Sequence, residues 1–228
     1  MDLVYICRDG DNEELRYSIR SAVANLPFDK IWVFGGKPDW YVGRHVRLKQ
    51  NAQKYDNARS NLAAICRNTD VSDDFVLMND DFFAIRPVDE FKYYHRGTLQ
   101  EHANLIKESI GYRRMIEDTK DVLEYLDYSD PLSYELHLPM VMNKEKLAKV
   151  VRTMGLWRSV YGNMYGVGGE KHDDVKVHNH VSLDIVGNNP LPYISTNDET
   201  FAGVRESLLE KLFPEPSKYE AKEQPTDY

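Results

Sequence analysis

Unbroken apolar runs of four alternate with segments of helical spacing along the first ninety residues. Leu3-Val4-Tyr5-Ile6 is such a run and ends in the polar cluster Arg8-Asp9-Gly10-Asp11, which predicts a buried strand opening into a loop. From Glu13 to Ala24 the apolar positions Leu15, Ile19, Ala22 and Val23 recur at helical spacing, until Asn25 and Pro27 stop the helix. Ile31-Trp32-Val33-Phe34 predicts a second strand, closed by Gly35-Gly36 and the turn Lys37-Pro38-Asp39-Trp40. Ala58, Leu62, Ala63, Ile65 and Cys66 mark a second helix over Asp56 to Asn68, and Phe75-Val76-Leu77-Met78 a third strand ending at Asn79-Asp80-Asp81. This βαβαβ order implies a mostly parallel sheet flanked by helices, with ligand groups beyond the carboxyl ends of its strands.

The pattern then changes. Residues 98 to 127 are charged, with Leu105, Ile110, Met115, Ile116, Val122 and Leu126 at apolar positions, so a helical insertion at about 92–133, broken near Gly111, is expected. Tyr134 to Leu138 reads as extended, Lys144 to Val151 as helix, and Gly155 to Gly169, with five glycines, as a loop against the site. Alternating Val175, Val177, Val181 and Leu183 suggest strands, and a helix is expected to run through Leu212. One domain over 1–220 with a polar tail at 221–228 accommodates all of this.

Composition narrows the function. The 228 residues carry 29 Lys+Arg against 37 Asp+Glu, a formal charge of -8, which opposes binding to a nucleic-acid backbone. The first residues lack a basic segment followed by a long apolar one, and no apolar stretch is long enough for a membrane span, so a cytoplasmic protein is expected. Cys7 and Cys66 are too few for a disulfide framework or a zinc site and read as reduced core residues.

The sharpest chemical signal is a buried strand that delivers Asp80 and Asp81 together. Adjacent carboxylates are stabilised by a hard divalent cation, Mg²⁺ or Mn²⁺, which in turn can bridge a diphosphate; a solvated turn or helix cap is the alternative. Arg8, Asp9, Arg16, Ser18 and Arg20 surround the first strand-to-helix turn, where polar groups and helix-terminal N–H groups can receive a nucleotide. An exposed charged helix face explains Arg16 and Arg20 equally well. His172, His178 and His180 are further candidate ligands, or simply a solvated face.

Several blocks resemble a known family. The strand with its acidic pair is similar to that of nucleotide-sugar enzymes of the GT-A type. Asp11 to Ser21, Ile31 to Phe34 and Pro38-Asp39-Trp40 resemble the second conserved region of the Stealth family of sugar-phosphate transferases, which includes capsular polysaccharide phosphotransferases and a GlcNAc-1-phosphotransferase. Phe75 to Phe83 looks like that family's strand and Asn-Asp-Asp turn. His137-Leu138-Pro139 and Arg158-Ser159 echo its third region, and Ile194 to Asp198 with Phe213 to Glu220 its fourth. The chain departs from the pattern at Arg59, where the family has Glu, and in a shortened first region, Val4 to Gly10.

The resemblance implies a GT-A-like α/β fold and transfer of a sugar 1-phosphate from a nucleotide-sugar donor to a hydroxyl acceptor on a glycan or protein. It also implies roles: Asp80, Asp81 and Asp198 as metal ligands, His137 as general base, Arg158 as phosphate clamp, with Asp81 also in the catalytic group. The bland readings are a structural histidine, a surface arginine and, for Asp198, a helix cap. A GT-A glycosyltransferase that moves the sugar alone and releases a nucleoside diphosphate is the second reading; a noncatalytic carbohydrate-binding protein is the third.

Overall fold

The computed structural model describes residues 1–51, 53–107, 109–178 and 181–221. In chain order its elements are β1 (Asp2–Cys7), α1 (Glu13–Asn25), β2 (Ile31–Gly35), β3 (Arg44–Arg47), α2 (Lys54–Arg67), β4 (Asp74–Asn79), β5 (Phe82–Ala84) and β6 (Tyr94–His95). There follow α3 (Leu99–Leu105), α4 (Ile110–Tyr125), β7 (Met140–Asn143), α5 (Lys144–Val150), α6 (Trp157–Met164), β8 (Glu170–Lys171), α7 (Ile185–Asn188), β9 (Tyr193–Ser195) and α8 (Phe201–Val204), the last continuing as a π-helical turn over Arg205–Leu209.

The main sheet has the order β3-β2-β1-β4-β7, with only β7 antiparallel. This is the mostly parallel sheet flanked by helices that the alternation predicts. Its central strands are apolar without interruption because both faces are covered. Leu3, Tyr5, Ile31, Val33, Val76 and Met78 point into one core cluster with Leu15 and Ile19 of α1. Their neighbours Val4, Trp32, Phe34, Phe75 and Leu77 point into the other, with Leu62 and Ile65 of α2, Leu147 of α5 and Val160 of α6.

Strand order fixes the crevice. From β1 the chain crosses through α1 to β2 and β3 on one side, then returns through α2 to β4 on the other, so the connections diverge at the carboxyl ends of β1 and β4. Gly35-Gly36 packs against that divergence. A Cβ on Gly36 would lie 2.3 Å from the Arg8 carbonyl oxygen, and one on Gly35, at φ +107, 2.3 Å from that of Cys7. Backbone cannot turn aside as a side chain can, so Gly36→Ala is expected to lower stability by about 1–3 kcal/mol; an unchanged urea midpoint would show that the Arg8 turn yields freely.

Thr98 and Glu101 form a capping box that starts α3. Leu99, Ala103, Ile116 and Leu123 of α3 and α4 close around Leu156, a residue outside the insertion.

Two expectations are corrected. Residues 155–169 are not all loop: Trp157–Met164 is helical. Gly162, which suggested a break, sits where a Cβ would be 2.3 Å from the Tyr134 ring, so its smallness serves packing. The valines from 175 to 183 form no strand among the described residues, only a bridge between Lys176 and Ser195. Val175 docks on the α1 cluster, while Val177 and Val181 pack on the cluster of Phe83, Ile194 and Leu208. Two cores, rather than one pleated face, explain their alternation. His180 and residues 222–228 of the polar tail lie outside the described residues.

Among the described residues no helix is long and apolar enough to cross a membrane.

Candidate functional site

The divergence of β1 and β4 gathers four carboxylates from three segments. Asp80 and Asp81 follow β4 directly. Glu14 enters from the first turn of α1, and Asp198 from the loop after β9. Asn12, at φ 43, caps α1 by accepting from the Leu15 N–H at 3.0 Å and donates from Nδ2 to Asp80 Oδ2 at 2.6 Å. One side chain therefore locks the helix start to the acidic turn.

Two of these carboxyls are held toward their neutral forms. Burial, then the charges of Asp80 and Asp81, push the Glu14 pKa up to about 7, against the pull of the Thr196 hydroxyl that donates to it at 3.1 Å. Burial, then Asp81, raises that of Asp80 despite the Asn12 hydrogen bond. Asp81 accepts from Ser195 Oγ at 3.1 Å, with Lys176 Nζ 3.9 Å away. At the exposed rim Arg8 bonds Asp198 at 2.8 Å, which lowers the Asp198 pKa, and stands 3.8 Å from Glu14.

Beyond the acidic turn, the ring of Phe82 faces both His137 and Arg158, its centroid 6.3 Å from the imidazole centroid and 5.4 Å from the guanidinium carbon. His137 Nδ1 lies 2.9 Å from both carboxylate oxygens of Asp174, and the His137 backbone N–H donates to Oδ1 at 3.3 Å. Burial alone would raise the Asp174 pKa, but the His137 hydrogen bond and charge, with Arg96, outweigh it and hold the group at about 2. An ionised Asp174 accepts from Nδ1–H and leaves Nε2 with the ring's lone pair.

Arg158 is only 5% exposed; it donates to the Leu138 carbonyl at 2.8 Å and reaches Asn79 Oδ1 at 3.5 Å. Burial pulls its pKa down to about 10, opposed by the charges of Glu135 and Asp81. Glu135, whose pKa burial raises, accepts from the Ser159 N–H and hydroxyl. A buried guanidinium bonded to neutral groups keeps donor capacity for an anion.

The structure thus brings together Arg8, Asp80, Asp81 and Asp198, with His137 and Arg158 across Phe82. Others of the predicted residues have different partners. Asp9 pairs with Arg47 on the outer rim. Ser18 has no exposed surface and bonds Tyr5 Oη and the Phe82 carbonyl. Arg16 and Arg20 both bind the buried Glu220, at 3.2 and 2.6 Å, tying the C-terminal segment to α1 instead of turning to the acidic cluster. His172 bonds the Asp173 carbonyl, and His178 is exposed.

Asn12, Glu14, Asp174 and Lys176 were not singled out from sequence. Asp174 and Lys176 flank buried Val175, so the polar positions of that alternation were the available signal.

No family model and no curated protein matches the chain. Among solved structures, galactosyltransferase LgtC in complex with donor and acceptor sugar analogs is similar at a TM-score of 0.49 and 12% identity, over 98% of this chain and 98% of that chain. An active-site mutant of LgtC gives 0.42 and 11%, over 91% and 82%. The apo form of the glycosyltransferase GlyE of Streptococcus pneumoniae gives 0.35 and 8%, over 85% and 53%.

Proposed function

We propose that the protein is a transferase of a nucleotide-activated sugar, moving a sugar 1-phosphate to a hydroxyl acceptor at the crevice between β1 and β4. The observation that carries this reading is the carboxylate cluster of Glu14, Asp80, Asp81 and Asp198, which among the described residues has only Arg8 and Lys176 within 4 Å as cations. Burial raises the pKa values of Glu14 and Asp80, and the neighbouring carboxylates raise them further.

An all-oxygen acidic site fits Mg²⁺ or Mn²⁺. Among the described residues no group of three His, Cys, Asp or Glu is placed to hold a metal ion; Mg²⁺ characteristically uses one or two carboxylates and fills its shell with water and substrate phosphate oxygens. Asp80 and Asp81 would hold the ion, while Asp198, expected as a third ligand, is instead paired with Arg8 at the rim; the ion would neutralise charge on the departing phosphate.

The chain's own groups supply the remaining chemistry. His137 Nε2 takes the proton of the acceptor hydroxyl as its oxygen bonds to the phosphorus next to the sugar. The bond from that phosphorus to the bridging oxygen breaks, and a nucleoside monophosphate leaves with the bridging oxygen. Arg158 meets the phosphoryl oxygens, and Arg8 and Lys176 exchange carboxylate partners for donor phosphates. The Stealth resemblance supports the choice of sugar 1-phosphate over sugar.

A thermal-shift panel of nucleotide sugars with Mg²⁺ or Mn²⁺ tests this reading. A donor at a hundred times its Kd should add about 2.7 kcal/mol of stability, and no shift with any donor contradicts the reading. The metal alone has a pH signature. Glu14 has a folded pKa of about 7 against an ordinary 4.5, so the stability it confers is complete below about pH 4.5 and lost as pH rises through 7. Mg²⁺ is therefore expected to raise Tm more at pH 8 than at pH 5; an equal rise at both would place the ion elsewhere.

A further inference from the structure

A buried chain of polar groups runs from the helical insertion to His137. His102, on α3, has no exposed surface, and its Nδ1 lies 2.8 Å from Ser133 Oγ while Nε2 lies 3.2 Å from an Arg96 Nη1. A guanidinium only donates, so Nε2 accepts and the ring proton sits on Nδ1, donated to Ser133. Burial, then the charge of Arg96, push the His102 pKa down to about 4, consistent with a neutral ring. The same Arg96 Nη1 reaches Asp174 Oδ2 at 3.5 Å, and Asp174 holds His137.

A buried imidazole and a largely buried guanidinium carry desolvation costs that an apolar pair would avoid. What they accomplish is orientation: Arg96 Nη1, held at 3.2 Å by His102 Nε2 and reaching Asp174 Oδ2 at 3.5 Å, limits how the Asp174 carboxylate can rotate. A fixed carboxylate in turn admits one imidazole tautomer.

We propose that Arg96, seated by His102, is a positioning residue that sets the ring orientation and tautomer of His137 through Asp174. This rests on His137 being the base of the proposed transfer. It makes the insertion, through α3, part of the support of that base.

The test compares ¹⁵N-labelled full-length wild type with Arg96→Gln, Arg96→Lys and His102→Leu, reading the His137 imidazole by long-range ¹H–¹⁵N spectra and turnover by kcat and donor KM. Wild type should show one Nδ1–H tautomer. In Arg96→Gln the two tautomers should mix, and kcat should fall roughly tenfold to a hundredfold, less than loss of the base itself, at unchanged donor KM. Arg96→Lys should recover part of both. His102→Leu retains Arg96 but unseats it, so it should mix the tautomers and lower kcat even if Arg96→Gln does not fold.

A single Nδ1–H tautomer with unchanged kcat in the folded Arg96→Gln or His102→Leu protein overturns the inference, as would lower Tm as the only change. Should wild type cleave no donor while the variants still lose the tautomer, the transferase reading fails and the positioning role stands.

Discussion

His137→Ala is expected to lower transfer by about 10²- to 10⁴-fold, the range of a positioned acid-base group, while donor affinity stays close to wild type and Tm falls modestly as Asp174 loses its hydrogen-bond partner. The imidazole is half-buried and held by Asp174 alone among the described side chains, so its removal leaves no large cavity. Its ring acts on the acceptor's proton, which is why donor binding is spared. A structural histidine gives another pattern: a lower Tm with turnover per folded molecule intact. Measuring donor Kd, Tm and turnover on one preparation separates the two, and an active but unstable variant would remove His137 from the chemistry.

Asp80→Asn and Asp81→Asn are expected to lower metal-dependent donor cleavage by roughly 10²- to 10³-fold, the loss of several kcal/mol of charge stabilisation at the leaving phosphate. Their effects on the metal-free fold should differ. Asn at position 80 can still accept from Asn12 Nδ2 and relieves the repulsion with Asp81 and Glu14, so metal-free Asp80→Asn should melt higher than wild type at pH 8. Asp81 receives the Ser195 hydroxyl and faces Lys176, so the metal-free Asp81→Asn protein should gain less. Wild-type cleavage in both variants would show that the acidic pair is only a turn.

The sheet was legible because its strands are buried on both faces. Continuous apolar runs such as Leu3 to Ile6 and Phe75 to Met78 fit a strand covered on both faces. β3 was not, because Arg-His-Val-Arg at 44–47 lies at an edge with only its middle half-buried; an edge strand carries little of the hydrophobic signal. Helix α6 was obscured by Gly162, whose packing against Tyr134 depends on a residue 28 positions away in sequence.

The site was legible in proportion to how much of it is contiguous. Asp80 and Asp81 stand side by side at a strand end, and their place follows from the strand. Arg16 and Arg20 show the limit of spacing arguments: four residues apart they do share a helix face, but Glu220, about two hundred residues on, decides what that face meets. Asp174 and Lys176 lie in a segment without helix or strand, and their partners His137, Arg96 and Asp81 come from distant parts of the chain. Long-range pairs of this kind leave no local pattern to read.

The measurement that tests the central claim most directly is ³¹P NMR of a nucleotide-sugar donor panel incubated with the protein, Mg²⁺ or Mn²⁺ and hydroxyl acceptors. The expected result is a nucleoside monophosphate and a new phosphodiester, both lost in Asp80→Asn and His137→Ala. A nucleoside diphosphate would mean that the sugar alone is transferred, and donors left intact throughout would contradict the account.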